Sequence, residues 1–471
     1  MPIVADGRAE TSDSNQKPTG TRTLLGTIVG STMLAVVATG IIAPRTLAFG
    51  FPFMALVLIA AAAAERRLVA VASTLLTRPV VSWDNALLLI WAAFFFYAAI
   101  SAFWTHSPII ALEKAGIGAC YAFLALLCVR LVTAWPGDVP LRLAEGLWMG
   151  FIFGAAYLAV EVVTSQAIKI AVINALGLKP SQINPAAYYT WQDNKLVTIW
   201  ISDLTRNMPP LAIFAAPAIA AAHASVRRPW NVVLVSLFIS LTTLAIFGSD
   251  SQTAQLGLIA GYVVFGLSVW TARWTSRVLM AGWVSACLLV VPLGYGLGAL
   301  ERTYGLSSNE VGYSPWLTHL LSRASVGARM AILGEYTQRV LDRPVLGHGA
   351  NMSYILGPIF DATAPKDSGS QATMRQHPHN AYMQIWFELG AIGALLFTLG
   401  GLSIVRSITA LKARQQDAAF GMFSIFATVI ATSYGVWQFW WMAAIAFGVV
   451  SLAVAGGGAA DIDRAPKSSG E

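Results

Sequence analysis

Apolar residues run in blocks of about twenty along most of this chain, separated by short polar bursts. A helix that crosses the hydrocarbon core of a bilayer needs about 20 predominantly apolar residues. Twelve blocks meet that length: 24–43, 46–64, 85–103, 115–134, 143–163, 209–225, 231–248, 254–270, 278–298, 386–405, 418–435 and 438–456. The pattern predicts an all-α polytopic membrane protein with about 12 transmembrane helices. The tightest turns fall at Pro44-Arg45 and around Val436-Trp437. Gly and Ala are frequent inside the blocks, which lets helices approach closely in lipid.

Polar stretches divide the chain further. Residues 1–23 lack hydrophobic periodicity and read as a disordered tail. Residues 24–298 hold spans 1–9, 386–456 hold spans 10–12, and 457–471 form a second tail. Between spans 9 and 10 lies segment 299–385. Loops beyond about 15 residues are functional or disordered more often than not. This one carries a helical period over 322–342, with Val326, Met330, Leu333, Tyr336 or Thr337, and Val340 on one face and charges interleaved. Ser322 is placed to cap its start, and Pro344 discourages continuation past Arg343. The helix is expected on the membrane surface or against the mouth of the bundle.

Composition agrees: 56% of residues are apolar and 11% charged, against about 25% charged in soluble domains. The net charge of +7 does not indicate nucleic-acid binding, because the basic residues are scattered over short loops and form no stripe. Their distribution instead orients the chain. With the N-terminus in the cytoplasm, the inward segments hold 17 Lys and Arg, and the short outward loops hold two, Arg45 and Lys114. The two long segments 164–208 and 299–385 then face outward and both tails face inward. Cys120, Cys128 and Cys287 sit in apolar runs without metal or disulfide spacing.

Four of the six histidines lie in the long loop: His319, His348, His377 and His379. Gly347, His348 and Gly349 suggest a tight turn that brings backbone close to something, a phosphate being one candidate. The loop closes on HPHNAYMQIWFELGAIG, from His377. His379 has two readings. It is a surface histidine beside an Asn380 helix cap, or a general base whose ordinary pKa near 6.5 suits proton transfer at neutral pH. His377 shares the argument, with Pro378 directing its ring elsewhere. A metal site would need three or four ligands, and no spacing completes one. Arg329 and Arg206 read either as interfacial anchors or as phosphate contacts. Asp250, in FGSDSQTAQLG, and Glu161 lie where charge is costly unless partnered.

HPHNAYMQIWFELGAIG, preceded by SVGARMAILGEYTQRVLDRPVLGHG, resembles the O-antigen ligase and polymerase family of membrane glycosyltransferases, and SAFWTHSPIIALEKAG (101–116) is similar to that family's outer loop after the third span. The resemblance implies a bacterial inner-membrane enzyme whose long loops are periplasmic. The donor would be an undecaprenyl-diphosphate-linked glycan. The acceptor would be the lipid A-core in a ligase, or another lipid-linked glycan in a polymerase. Neither cofactor nor metal is implied, and the partners are these substrates and membrane lipids, with no nucleic acid.

The resemblance places the catalytic base on His379 and the loop-helix arginine on Arg329. Arg206 is then a candidate second cation on the donor diphosphate, with Asn380, His377, Gln252 and Asp250 in support. One departure stands out. Relatives often carry an arginine in the run corresponding to Ser251-Gln252-Thr253-Ala254, and glutamine cannot offset diphosphate charge. The expected chemistry is an inverting, metal-independent transfer, most simply the ligase reaction. A secondary transporter is the alternative of another class, although no internal repeat of the kind transporters carry is visible.

Overall fold

The computed structural model describes residues 20–66, 82–135, 138–182, 188–304, 326–363 and 377–462. Residues 1–19 and 463–471 of the tails, with Ser322 and His319, lie outside these residues, whereas 20–23 and 457–462, read as tail in the sequence, are helical. The described chain is almost wholly helical. The long helices are α1 (Gly20–Ile42), α2 (Leu47–Ala64), α3 (Ser82–Ile100), α4 (Pro108–Ala134), α5 (Val139–Val163), α7 (Met208–Ser225), α8 (Trp230–Phe247), α9 (Gln252–Tyr304), α12 (Ala381–Ile408), α13 (Ala413–Thr432) and α14 (Phe439–Ile462). Shorter helices α6 (Ala167–Ala175), α10 (Val326–Asp342) and α11 (Met352–Thr363) lie in the two long segments.

Ten helices among the described residues are long and apolar enough to cross a membrane. One of them, α9, is two limbs joined at Thr271, whose φ of −150° and ψ of 75° break the helix. Its first limb meets α13 through the Ser268 hydroxyl and the Asp417 carboxylate. Its second limb meets α12, where Trp386 Nε1 donates to the Cys287 carbonyl at 2.7 Å and Trp283 Nε1 to the Thr398 carbonyl at 3.2 Å. Since α12 and α13 are consecutive and antiparallel, the limbs run in opposite directions. With α13, the twelve apolar blocks of the sequence are all accounted for by helix.

Close packing uses small residues, as expected in lipid, where apolar burial supplies no drive between helices. A Cβ on Gly146 of α5 would stand 2.1 Å from the Gly30 carbonyl of α1, and one on Gly298 of α9 2.5 Å from Gly334 Cα of α10. The second pair seats α10 on the bundle. Met330, Tyr336, Thr337 and Val340 are buried there, so the helix lies against the bundle mouth. Segment 164–208 holds an element that the period did not suggest. This is a two-stranded antiparallel hairpin, β1 (Tyr189–Gln192) with β2 (Lys195–Ile199), pairing Tyr189 with Ile199 and Gln192 with Lys195.

Chain direction places the 43–46 corner, the 101–107 loop, residues 164–182 and 188–208, helices α10 and α11, and the 433–438 turn at one end of the bundle.

Candidate active site

A cavity of about 810 Å³ opens at that end. Its wall is drawn from the α1–α2 corner, the start of α4, Arg206 on the approach to α7, the start of α11, the approach to α12, and the α13–α14 turn. His377, His379 and Arg206 are all in the wall, so three of the residues singled out in the sequence meet there.

The histidines are held by the start of α12. Asn380 has the extended backbone of a cap, and its Oδ1 accepts the Met383 N–H at 3.0 Å. Its Nδ2 donates to the Ala431 carbonyl at 3.0 Å, tying this start to the end of α13. Immediately before it, His379 has φ of +52°, a left-handed conformation that costs a non-glycine residue about 1–2 kcal/mol. The left-handed turn lets the His379 N–H donate to His377 Nδ1 at 3.2 Å. The two rings lie 4.3 Å apart between centroids. Pro378 therefore does not direct them apart, because the turn at His379 folds them together. Burial, and then the proximity of His379, pull the His377 imidazole from 6.5 down to about 4.

Three cations face the histidines. Arg45 comes from the turn Pro44–Thr46, Lys114 from the second turn of α4, and Arg206 ends a single 3-10 stretch, Ile201–Arg206. Lys114 Nζ sits 3.6 Å from the centre of the Phe439 ring and 3.3 Å from Glu113 Oε1. The Asn207 side chain donates to the carbonyls of Ile41 at 2.9 Å and Ile42 at 2.6 Å, which joins the Arg206 stretch to the corner that carries Arg45. Tyr434 donates to the Thr205 carbonyl at 3.4 Å. Burial pushes its hydroxyl up to about 12, with Arg206 opposing the shift. Arg45 and Lys114 were not singled out as site residues in the sequence. The signal that marks them is their being the two basic residues of the short loops that the charge pattern would place outward.

Beneath the cavity lies Glu388, fully buried on α12. Its carboxylate accepts the Asn351 N–H at 2.8 Å, the Ser353 N–H at 3.2 Å, the Gln384 amide at 2.9 Å and the Trp437 indole. Gln384 in turn accepts the Val436 N–H at 2.9 Å. One acid thus fastens the α11 start and the α13–α14 turn to α12. Sequence reading missed it; Gln384 and Glu388, four residues apart on one helix face, are the available trace.

The turn at Gly347–Gly349 does approach backbone closely, but the partner is α12. Gly390 has φ of +60° and opens the helix. His348 N–H then donates to the Phe387 carbonyl at 3.0 Å, Gly349 N–H to the Glu388 carbonyl at 2.7 Å, and Ala391 N–H to the Pro344 carbonyl at 2.8 Å. The His348 ring stacks on Phe387 at 4.5 Å and sits 3.0 Å from the Arg339 carbonyl. These are packing roles. From the other side, Ser101 Oγ accepts the Ala350 N–H at 2.9 Å, so the 101–107 loop braces the turn.

Arg329, Gln252 and Asp250 lie apart from the cavity wall. Arg329 Nη1 donates to the Thr432 carbonyl at 2.9 Å, one residue before the wall begins at Ser433. Asp250 accepts from the Ser202 hydroxyl at 2.9 Å. The Gln252 N–H donates to the Asp250 carbonyl at 3.0 Å, where α9 starts. Glu161 is buried, and its Oε1 accepts the Lys169 N–H at 2.9 Å, so it caps α6. Among the described residues, no group of three or more His, Cys, Asp and Glu is gathered as a metal site.

Two comparisons bear on this geometry. The chain is similar to a protein of Rickettsia conorii named "Putative polysaccharide ligase", 24% identical over 240 residues, which is 51% of this chain and 54% of the relative. It is similar to one of the same name from Rickettsia felis, 24% identical over 242 residues, 51% of this chain and 55% of the relative. The chain thus spans about half the length of the curated relatives it matches. The family model described as O-antigen ligase matches residues 233–398. That match takes in Arg329, the glycine turn, both cavity histidines and Glu388, and leaves Arg45, Lys114, Arg206 and the 433–440 wall outside it. Residues 233–398, which bring His377, His379 and their supporting acid to the cavity, are thus similar to the O-antigen ligase family, within a multi-pass membrane protein.

Proposed function

We propose that this protein transfers a glycan from an undecaprenyl-diphosphate donor to an acceptor hydroxyl at the outer face of a bacterial inner membrane. The acceptor in this reading is the lipid A-core, as in an O-antigen ligase. The observation that carries it is the joining of His379 with Arg45, Lys114 and Arg206 around one cavity at one end of the bundle, the end that the distribution of Lys and Arg would turn outward.

In this reading the acceptor hydroxyl meets the anomeric carbon of the donor sugar from the face opposite the diphosphate. The new C–O bond forms as the bond from that carbon to the phosphate oxygen breaks, and the electron pair leaves with the diphosphate. The anomeric centre inverts. His379 takes the hydroxyl proton, a contribution of about 10²–10⁴ in rate. The guanidiniums of Arg45 and Arg206 and the Lys114 ammonium neutralise the charge on the departing diphosphate, a preorganised electrostatic role. They supply the cation that Gln252 cannot. Arg329 acts indirectly, holding the start of the 433–440 wall through Thr432. His377 accepts the His379 N–H and keeps the base in its left-handed turn. The chemical energy is that of the donor's sugar–phosphate bond.

The test uses purified protein in bilayers with labelled undecaprenyl-diphosphate glycan, offered either lipid A-core or further donor. Label on the core supports the reading. Chain growth on the donor instead makes the protein a polymerase. Full transfer by His379→Ala removes the general base from the mechanism, whichever acceptor is used.

A further inference from the structure

Helix α6 is apolar on both sides. Ile173 packs with Leu196 and Ile199 beneath it, and its two polar side chains, Lys169 and Asn174, are bonded back to the protein. The Lys169 ammonium pairs with Asp203 and donates to the Tyr189 hydroxyl at 3.2 Å. Asn174 donates to the Leu196 carbonyl at 2.9 Å and accepts the Leu196 N–H at 2.8 Å. The opposite side is apolar and bare: Ile168, Val172 and Leu176, one turn apart in succession, are 41, 50 and 67% exposed. An aqueous surface helix keeps its apolar residues inward and covers its outer side with charge.

The angle at which α6 leaves the bundle is built. Ser165 and Gln166 are consecutive left-handed residues, with φ of +53° and +65°. The buried Gln166 side chain donates to the Trp200 carbonyl at 2.9 Å. The Glu161 carboxylate caps the first turn of α6. The apolar side also continues the exposed end of α5, a helix long and apolar enough to cross a membrane. Val160 and Val163 end α5 at 44 and 67% exposure, and Ile168 follows them. At its margins stand Trp200, 58% exposed, and the exposed Lys179 and Lys195. Indole rings and lysines concentrate where hydrocarbon meets headgroups.

From this bare apolar side and its continuity with the exposed apolar end of the membrane-crossing helix α5, we infer that α6 lies flat in the outer leaflet, with Ile168, Val172 and Leu176 among the acyl chains and Lys179 and Lys195 at anionic headgroups. Amphipathic segments of this kind embed their apolar side at the headgroup–acyl boundary. Because Asp203 precedes Arg206 in the same 3-10 stretch, the Lys169–Asp203 pair couples this leaflet-bound helix to the cavity wall. The inference needs the membrane fold and does not depend on the transfer reaction.

The experiment labels the full-length protein in vesicles of phosphatidylethanolamine and phosphatidylglycerol. Val172→Cys and Leu176→Cys are each made in a Cys120→Ser background, where Cys128 and Cys287 are buried. A polarity-sensitive fluorophore is attached at each. Both labels are expected to emit to the blue, to be quenched by nitroxides on the lipid chains, and to be shielded from iodide. Water-like emission quenched by iodide overturns the inference. So does a split result, because two positions one turn apart on one face share a depth when the helix lies flat. Blue-shifted emission that lipid nitroxides leave unchanged, with cross-linking of two chains at these cysteines, also overturns it and assigns the face to a second copy.

Discussion

His377 accepts the backbone N–H of His379 on Nδ1 at 3.2 Å, and the two rings stand 4.3 Å apart. An imidazole nitrogen that accepts carries no proton, so His377 is neutral in this arrangement. A second cation beside the base would oppose protonation of His379 during transfer, so the neutral neighbour leaves the base able to take a proton. The left-handed turn at His379 makes both the contact and the base's position one local feature.

The first expectation concerns pH and stability. Burial, then His379, lower the His377 value from 6.5 to about 4. Between those values the unfolded chain binds more protons than the folded one, so stability rises with pH across the window. It is complete above about 6.5 and is lost as pH falls toward 4. His377→Gln removes this group. Thermal unfolding in detergent should show a smaller loss for the variant than for the parent between neutral and pH about 4.5, a difference on the order of 2 kcal/mol. Parallel curves would contradict the assignment of a neutral, buried His377.

Glu388 offers a second. Glu388→Ala leaves the Asn351, Ser353, Gln384 and Trp437 donors without their acceptor. An unsatisfied buried donor costs about 1–3 kcal/mol, so the variant should belong to the rare class that loses more than about 4 kcal/mol. Glu388→Gln keeps the volume and one acceptor oxygen, and should lose less. Melting temperatures of the three proteins check the order, and the parent melting no higher than Glu388→Ala would refute it.

The span pattern was legible because twenty-residue apolar blocks leave little choice of structure in lipid. The hairpin at Thr271 kept two blocks distinct even though helix runs almost unbroken through them. The histidines and Arg206 were legible because their positions at outer helix ends follow from topology. Arg45, Lys114 and the 433–440 wall were not, because their chemistry comes from convergence of segments far apart in sequence. Arg45 and Arg206 meet only because Asn207 bonds to the Ile41 and Ile42 carbonyls. Glu388 was hidden for another reason: its five donors come from three separate stretches, and no local pattern announces them. The glycine turn was read correctly as a close approach, but the approached group is the opened helix at Gly390.

That approach gives a third expectation. A Cβ on Gly347 would stand 2.3 Å from the Glu388 carbonyl, and one on Gly390 2.3 Å from that of Val345. Both glycines have positive φ. Neither neighbour is a flexible side chain, so Gly347→Ala and Gly390→Ala should each cost about 2 kcal/mol or more. Gly177 is the control. Its φ is +63° but nothing lies within 4 Å of an added Cβ. Gly177→Ala should cost only the backbone strain, about 1 kcal/mol. Thermal denaturation that ranks Gly177→Ala equal to the other two would remove the close approach as the cause.

The cations carry the fourth. In the proposed reaction each of Arg45, Lys114 and Arg206 meets a diphosphate oxygen, and a hydrogen bond to a charged group contributes about 1.5–3 kcal/mol. Replacing any one by methionine should therefore lower kcat/KM for the lipid-linked donor by about 10- to 100-fold. Arg206→Lys keeps the charge but loses the fork, and should fall between the parent and Arg206→Met. Gln252→Ala tests the alternative that the start of α9 does this work. Its side chain stands outside the cavity wall, so its loss should be smaller than that of any of the three. Melting temperatures close to the parent's would separate lost charge from lost fold. If Gln252→Ala costs as much as Arg206→Met in well-folded protein, the diphosphate does not lie where Arg45, Lys114 and Arg206 converge.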